Sequence, residues 1–142
     1  MSTAGGVRGH LDRWYAQVKA RDHRALFDLL HPDAVFESPV VFTPQRGREI
    51  VFAYLSSADR VLGGPSFRYT GEWIGPDSAV LEFEAEVEGT RINGVDMIRW
   101  DAAGRIVHFK VMVRPLRAVN LVHRLMGEML AARAAEDRSP PA

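Results

Sequence analysis

Apolar residues return every three or four positions in the first part of the chain and every second position in the next. Val7, Leu11, Trp14, Tyr15 and Val18 predict a helix over 7–20, after a loose tail over 1–5. Asp22 is placed to cap a shorter helix carrying Ala25, Leu26, Leu29 and Leu30. His31-Pro32-Asp33 closes it, because a residue before proline is pushed out of the helical region. A short strand is expected over 34–40, with Pro39 marking an edge or a bulge. After a loop, Ile50, Val51, Tyr54, Leu55, Ala58 and Val61 share one side of a third helix over 48–62. Gly63-Gly64-Pro65 stops it.

Beyond residue 66 the period shortens to two. Phe67, Tyr69 and Trp73 alternate with Arg68, Thr70 and Glu72. Leu81, Phe83, Ala85 and Val87 alternate with Glu82, Glu84, Glu86 and Glu88, the pattern of a strand with one buried and one acidic face. A hairpin over 91–115 follows. Its turn is Asp101-Ala102-Ala103-Gly104, with Asp favoured first and Gly last. Counting by twos back from Trp100, one face of the hairpin carries Ile98, Asp96, Gly94 and Ile92. A carboxylate thus shares a face with a Trp and two Ile. If that face is interior, the charge must be paired, hydrated or neutralised. Pro115 opens a last helix over 116–133, where Ala118, Leu121, Val122, Leu125 and Met129 form one stripe, widened by Val119, Met126 and Leu130.

Helices first and strands afterwards imply segregated α+β layers rather than alternating βαβ units. Four long antiparallel strands leave one apolar face, and the three preceding helices can cover it. A strongly curved sheet wrapped on helices can leave a closed-ended pocket between the layers. We expect one domain over 1–133, including the C-terminal helix, and a flexible tail over 134–142.

Composition narrows this picture in a few places. The chain has 142 residues, enough to bury a core without staples. It has no cysteine, which excludes disulfides, thiolate nucleophiles and cysteine metal sites, and fits a reducing compartment. Eighteen basic and eighteen acidic residues balance, so net charge does not favour nucleic acid as a partner. No window reaches the ~18 apolar residues of a membrane span, and the first residues lack the pattern of a signal peptide. The expectation is a cytoplasmic protein. The histidines are scattered without metal-ligand spacing, so neither metal nor cofactor is expected.

Four strings, in this order, resemble a known superfamily: R-W-Y-A-Q-V-K-A-R-D, L-L-H-P-D-A-V-F-E-S-P-V, R-G-R-E-I and G-V-D-M-I-R-W-D-A-A-G-R-I. Over about residues 7–115 the chain resembles the nuclear-transport-factor-2-like superfamily, in the branch of ketosteroid isomerase and SnoaL-like polyketide cyclases. The resemblance implies a cone, in which a curved antiparallel sheet wraps three N-terminal helices and a C-terminal helix is added. It also implies an apolar cavity and a homodimer through the outer sheet face. The isomerase's acid falls on Asp96, its base on Ser38 and its phenol on Trp14, next to Tyr15. A serine hydroxyl does not replace a carboxylate base without an activating partner.

Asp96 has two readings. It is either a protonated acid that donates to a ligand carbonyl or enolate, or a structural carboxylate paired with Arg91 or a backbone amide. Trp14 or Tyr15 can present an N–H or O–H to the cavity, or can be plain core. Ser38 is the remaining catalytic candidate. The expected cavity lining is Phe36, Leu81, Phe83, Ile98, Trp100, Phe109, Val111 and Val113. Glu37, Asn93, His108 and Lys110 are assigned to the outer face. The last helix either covers an open end of the domain or lies on a membrane surface. Three functions follow: an isomerase- or cyclase-like enzyme on an apolar carbonyl compound, a binding module for an apolar small molecule, or a dimerisation module.

Overall fold

The computed structural model describes residues 3–138, with side chains from Gly6 to Glu136. Helix α1 (Thr3–Ala20) already includes residues 3–5, where a loose tail was expected; residues 1–2 lie outside the described residues. In α2 (His23–Leu29) the Asp22 carboxylate caps the N-terminus, accepting from the Ala25 N–H at 3.1 Å. Helix α3 (Arg48–Leu62) ends at Gly63, whose N–H bonds back to the Asp59 carbonyl at 2.7 Å.

Strand β1 (Leu30–Glu37) begins directly after α2, earlier than the strand expected over 34–40. Leu30 takes extended angles and is fully buried, so the chain turns into the sheet without a loop. The strand stops before Pro39, because the Ser38 Oγ accepts from the Val40 N–H at 3.1 Å and makes a turn there. A two-residue strand, β2 (Gln45–Arg46), pairs with it. The remaining strands are β3 (Arg68–Ile74), β4 (Ser78–Val87), β5 (Thr90–Trp100) and β6 (Ile106–Arg114). Their order across the sheet is β2-β1-β6-β5-β4-β3. Strand β1 runs parallel to β6, so the sheet is mixed, not wholly antiparallel as expected. The turn between β5 and β6 is the expected one. The Asp101 carboxylate accepts from the Ala103 and Arg105 N–H groups, and Gly104 supplies the left-handed backbone at φ 87°.

One departure from strict alternation has consequences. The β3–β4 register shifts between Tyr69 and Gly71, a β-bulge. Beyond it, Glu72 pairs with Leu81 on the inner face and Trp73 with Val80 on the outer face. Trp73 is therefore 58% exposed, although period two placed it with Tyr69. Glu72 receives hydrogen bonds from Tyr15 and Arg8 of α1, both at 2.6 Å.

The core has two clusters. The first joins Leu11, Trp14, Leu26 and Val51 of the helices to Leu81, Ile98 and Trp100 of the sheet. The second joins Phe83 and Ile92 to Ala118, Val122 and Met126 of helix α4 (Leu116–Arg138). Burying a Val or Met side chain contributes roughly 1.5–3 kcal/mol, so α4 is held as a cover on the sheet. Its buried positions recur every four residues, and Leu125 and Met129 are only half-buried. The helix runs on through residues 134–138, where the tail was expected to loosen; 139–142 lie outside the described residues. Among the described residues no helix is long and apolar enough to cross a membrane.

Candidate functional site

Strand β5 places Asp96 between Leu81 of β4 and Val111 of β6, on the concave face under the helices. Tyr69, just before the bulge, lies opposite Phe83 on the same face. Helix α1 brings Trp14 over both. The Trp14 Nε1–H donates to the Tyr69 hydroxyl oxygen at 3.1 Å, and the Tyr69 O–H donates to Asp96 Oδ2 at 2.7 Å. Tyr69 is oriented by its ring contacts: Tyr15 and Phe67 both pack edge-on against it, at 5.4 and 5.1 Å between centroids.

Asp96 is 8% exposed, and Tyr69 is its side-chain hydrogen-bond partner among the described residues. Arg91, the salt-bridge partner considered from sequence, is exposed and its position faces outward. Burial pushes the Asp96 carboxyl up to about 7, against the opposing pull of the Tyr69 hydrogen bond, which favours the anion. Burial and the neighbouring Asp96 push the Tyr69 phenol well above its ordinary value, so the phenol keeps its proton and acts as donor. The carboxyl therefore exchanges a proton near neutrality. Oδ2 is occupied by Tyr69, which leaves Oδ1 to carry that proton.

A cavity of about 290 Å³ opens beside this group. Its walls include Trp14, Gln17, Leu55, Phe67, Phe83 and Phe109, and its exposed rim carries Lys19, Arg21 and Gly64. Asp59 also lines it, but its carboxylate is held by Arg21 Nε at 3.3 Å and lies 3.0 Å from His23 Nε2. A second hollow of about 230 Å³ lies under α4, lined by Phe36, Tyr54, Val113, Val122 and Met126. The two share Ala58, Leu62 and Val111 as a common wall.

The residues singled out from sequence divide among several places. Trp14, Phe83, Phe109 and Val111 line the hollow beside Asp96. Phe36, Val113 and Ser38 line the second one. Ser38 thus stands apart from the Asp96 hollow, with its hydroxyl engaged in the turn to Val40. Leu81, Ile98 and Trp100 line neither; α1 lies over that end of the sheet and fills it. Tyr15 points to Glu72, not into the cavity, and burial, followed by that hydrogen bond, pushes its phenol up. Glu37 faces outward, 2.7 Å from His108 Nε2 and 3.6 Å from Lys110 Nζ. Tyr69 and Gln17 were not singled out. The signal for both was the one that exposed Asp96: a polar group on an otherwise apolar face.

Helices, curved sheet and hollow together define a cone-shaped α+β domain with a nuclear-transport-factor-2-like fold. The chain belongs to the SnoaL-like domain family, which matches residues 11–109. It is similar to a steroid delta-isomerase from Pseudomonas aeruginosa, with 37% identity over 95% of this chain and 96% of that one and a TM-score of 0.85. It is also similar to a protein with a cystatin-like fold from Silicibacter pomeroyi DSS-3, with 27% identity over 90% and 86% and a TM-score of 0.76. A nuclear-transport-factor-2-like protein from Mesorhizobium loti shares the fold, with 20% identity over 81% and 96% and a TM-score of 0.69. No curated protein matches the chain.

Proposed function

We propose that this protein binds an apolar, carbonyl-bearing small molecule beside Asp96 and promotes isomerase- or cyclase-type proton transfer next to that carbonyl. The observation that carries the reading is a buried carboxyl, tethered at one oxygen by Tyr69, with its other oxygen beside an apolar hollow. The protonated carboxyl donates from Oδ1 to the ligand oxygen. As negative charge grows on that oxygen during enolisation, the low-dielectric surroundings strengthen the bond. The similarity to a steroid delta-isomerase supports a ketone of that size and character. A positioned base contributes roughly 10²–10⁴-fold in such reactions. Ser38 lines a different hollow, and Asp59 is held by Arg21 and His23. Water entering the hollow therefore takes the carbon-bound proton and returns one to the far carbon of the enol, and turnover is slow. That same observation favours a second reading, ligand binding without turnover.

The test is the affinity for a β,γ-unsaturated steroid ketone as a function of pH, with conversion to the conjugated ketone followed by ultraviolet absorbance. Wild-type affinity is expected to fall above about pH 7 as the donor ionises, and Asp96→Asn should bind independently of pH. Matching pH profiles and matching turnover in the two proteins would remove Asp96 from the function. Binding without conversion would leave the non-catalytic reading.

The outer sheet face belongs to the same proposal. Trp73 and Met112 stand 58% and 51% exposed there, and we assign that face to a homodimer contact. Sedimentation is expected to give a dimer that Trp73→Lys converts to monomer; a wild-type monomer at micromolar concentration rules the contact out.

A further inference from the structure

Gln17 is 7% exposed and lines the hollow beside Asp96. Its backbone carbonyl accepts from the Asp22 N–H at 3.1 Å, but its side-chain amide bonds to none of the described residues. Nor is that amide sealed in protein: the fully enclosed, unpartnered side-chain atom among the described residues is Ser57 Oγ. Gln17 lines the cavity, so we infer that the amide's remaining surface opens on it. A primary amide kept out of bulk water without a partner is costly, so its position calls for something that enters the hollow.

Its placement says what that something is. Trp14 and Gln17 succeed one another along the cavity side of α1, and Arg21 follows just past its end at the rim. Three residues advance a helix by roughly 4.5 Å, so the amide lies about one turn nearer the rim than the Trp14–Tyr69–Asp96 chain. Phe83, Phe109 and Val18 supply apolar walls of the same hollow. An amide both donates and accepts, and so pairs equally with a hydroxyl or a carbonyl. The rim guanidinium of Arg21 is already turned to Asp59 and the Trp14 N–H to Tyr69, which leaves the Gln17 amide as the polar group of this wall without a protein partner among the described residues.

We propose that Gln17 is a second binding residue of this cavity, and that the occupant is an apolar molecule with two oxygen functions. Asp96 holds one and the Gln17 amide holds the other. This rests on the binding role given to Asp96 above, and the experiment separates the two claims.

The probes are a naphthol with one hydroxyl and a panel of naphthalenediols, titrated by fluorescence into wild-type, Asp96→Asn and Gln17→Leu proteins. Asp96→Asn is expected to weaken both kinds of probe. Gln17→Leu is expected to weaken the best diol about tenfold, the worth of one hydrogen bond, and to leave the single-hydroxyl naphthol unchanged. Equal effects of Gln17→Leu on both probes, or none on either, overturn the second station and leave Asp96 in place. Failure of every probe to bind the wild-type protein overturns the cavity reading and this one with it. Thermal unfolding of the ligand-free proteins supplies a readout without a probe. An unpartnered amide replaced by an apolar side chain of similar length should raise the melting temperature by a few degrees. A drop instead would mean that Gln17 holds the fold together, and would overturn the proposal.

Discussion

The stability of this protein is expected to fall as pH rises through the range between the ordinary Asp value of 3.8 and about 7, and Asp96→Asn should abolish that fall. In the unfolded chain the carboxyl ionises at its ordinary value. In the folded chain burial keeps it protonated up to about 7, so between the two the folded state binds more protons than the unfolded one. The contribution is fully present below the unfolded value and is lost as pH climbs through the folded one. Asp96 is 8% exposed, so solvent screening discounts this little, and a rise of that size corresponds to about 4 kcal/mol. Glu37 and Glu72 act in the opposite sense, because hydrogen bonds from His108 and Arg8 hold their carboxyls below the usual range. The quantity to measure is therefore the difference between wild type and Asp96→Asn in urea unfolding across pH, in which those groups cancel. The variant should gain about 2–4 kcal/mol on wild type at pH 8 relative to pH 4. Tyr69→Phe provides the complementary shift. It removes the hydrogen bond that favours the anion, so the fall should extend to higher pH. A pH-independent difference between wild type and Asp96→Asn would mean that water or a counter-charge reaches the carboxyl.

The same carboxyl shows how far period-two reading goes and where it stops. Strand parity put Asp96 on the covered face, because β4, β5 and β6 keep unbroken register around it, with Asp96 opposite Leu81 and Val111. Parity failed at Trp73 and Glu72, where one extra residue in β3 reverses the faces. A bulge at a Thr-Gly step leaves no apolar pattern to read. It also could not say which part of the covered face is hollow. Leu81, Ile98 and Trp100 share a face with Phe83 and Phe109, yet the first three are wholly covered by packed core while the last two also line the hollow beside Asp96. That distinction depends on how the helices settle on the sheet, a tertiary quantity without a sequence period. Ser38 illustrates the other limit. A family correspondence placed it beside Asp96, but the chain turns at Ser38–Val40 and carries it into the neighbouring hollow. Tyr69 was legible as an inward residue and illegible as a donor, since its partner lies 27 residues away and meets it across β4.

Gly94 ties the sheet to the cavity, and Gly94→Ala is expected to cost about 2–3 kcal/mol and to abolish ligand binding. A Cβ there would lie 2.5 Å from Phe83 Cζ and 2.6 Å from the Met112 carbonyl oxygen. The carbonyl cannot retreat, because Gly94 and Val113 are paired within the β5–β6 ladder. Phe83 must therefore move. It is 1% exposed, stacked on Phe67 at 5.4 Å and walled by α4, so its free side is the hollow beside Asp96. The methyl group would thus be accommodated by pushing an aromatic ring into the space the proposed ligand needs. The same substitution at Gly127 serves as the control. That glycine lies on α4 with open space where a Cβ would stand, so Gly127→Ala should stabilise by up to about 1 kcal/mol through helix propensity. Urea unfolding of both variants, with naphthol titration of each, gives opposite signs if Phe83 is clamped between β5 and the cavity. A Gly94→Ala protein as stable as wild type and still able to bind would show that Phe83 has somewhere else to go.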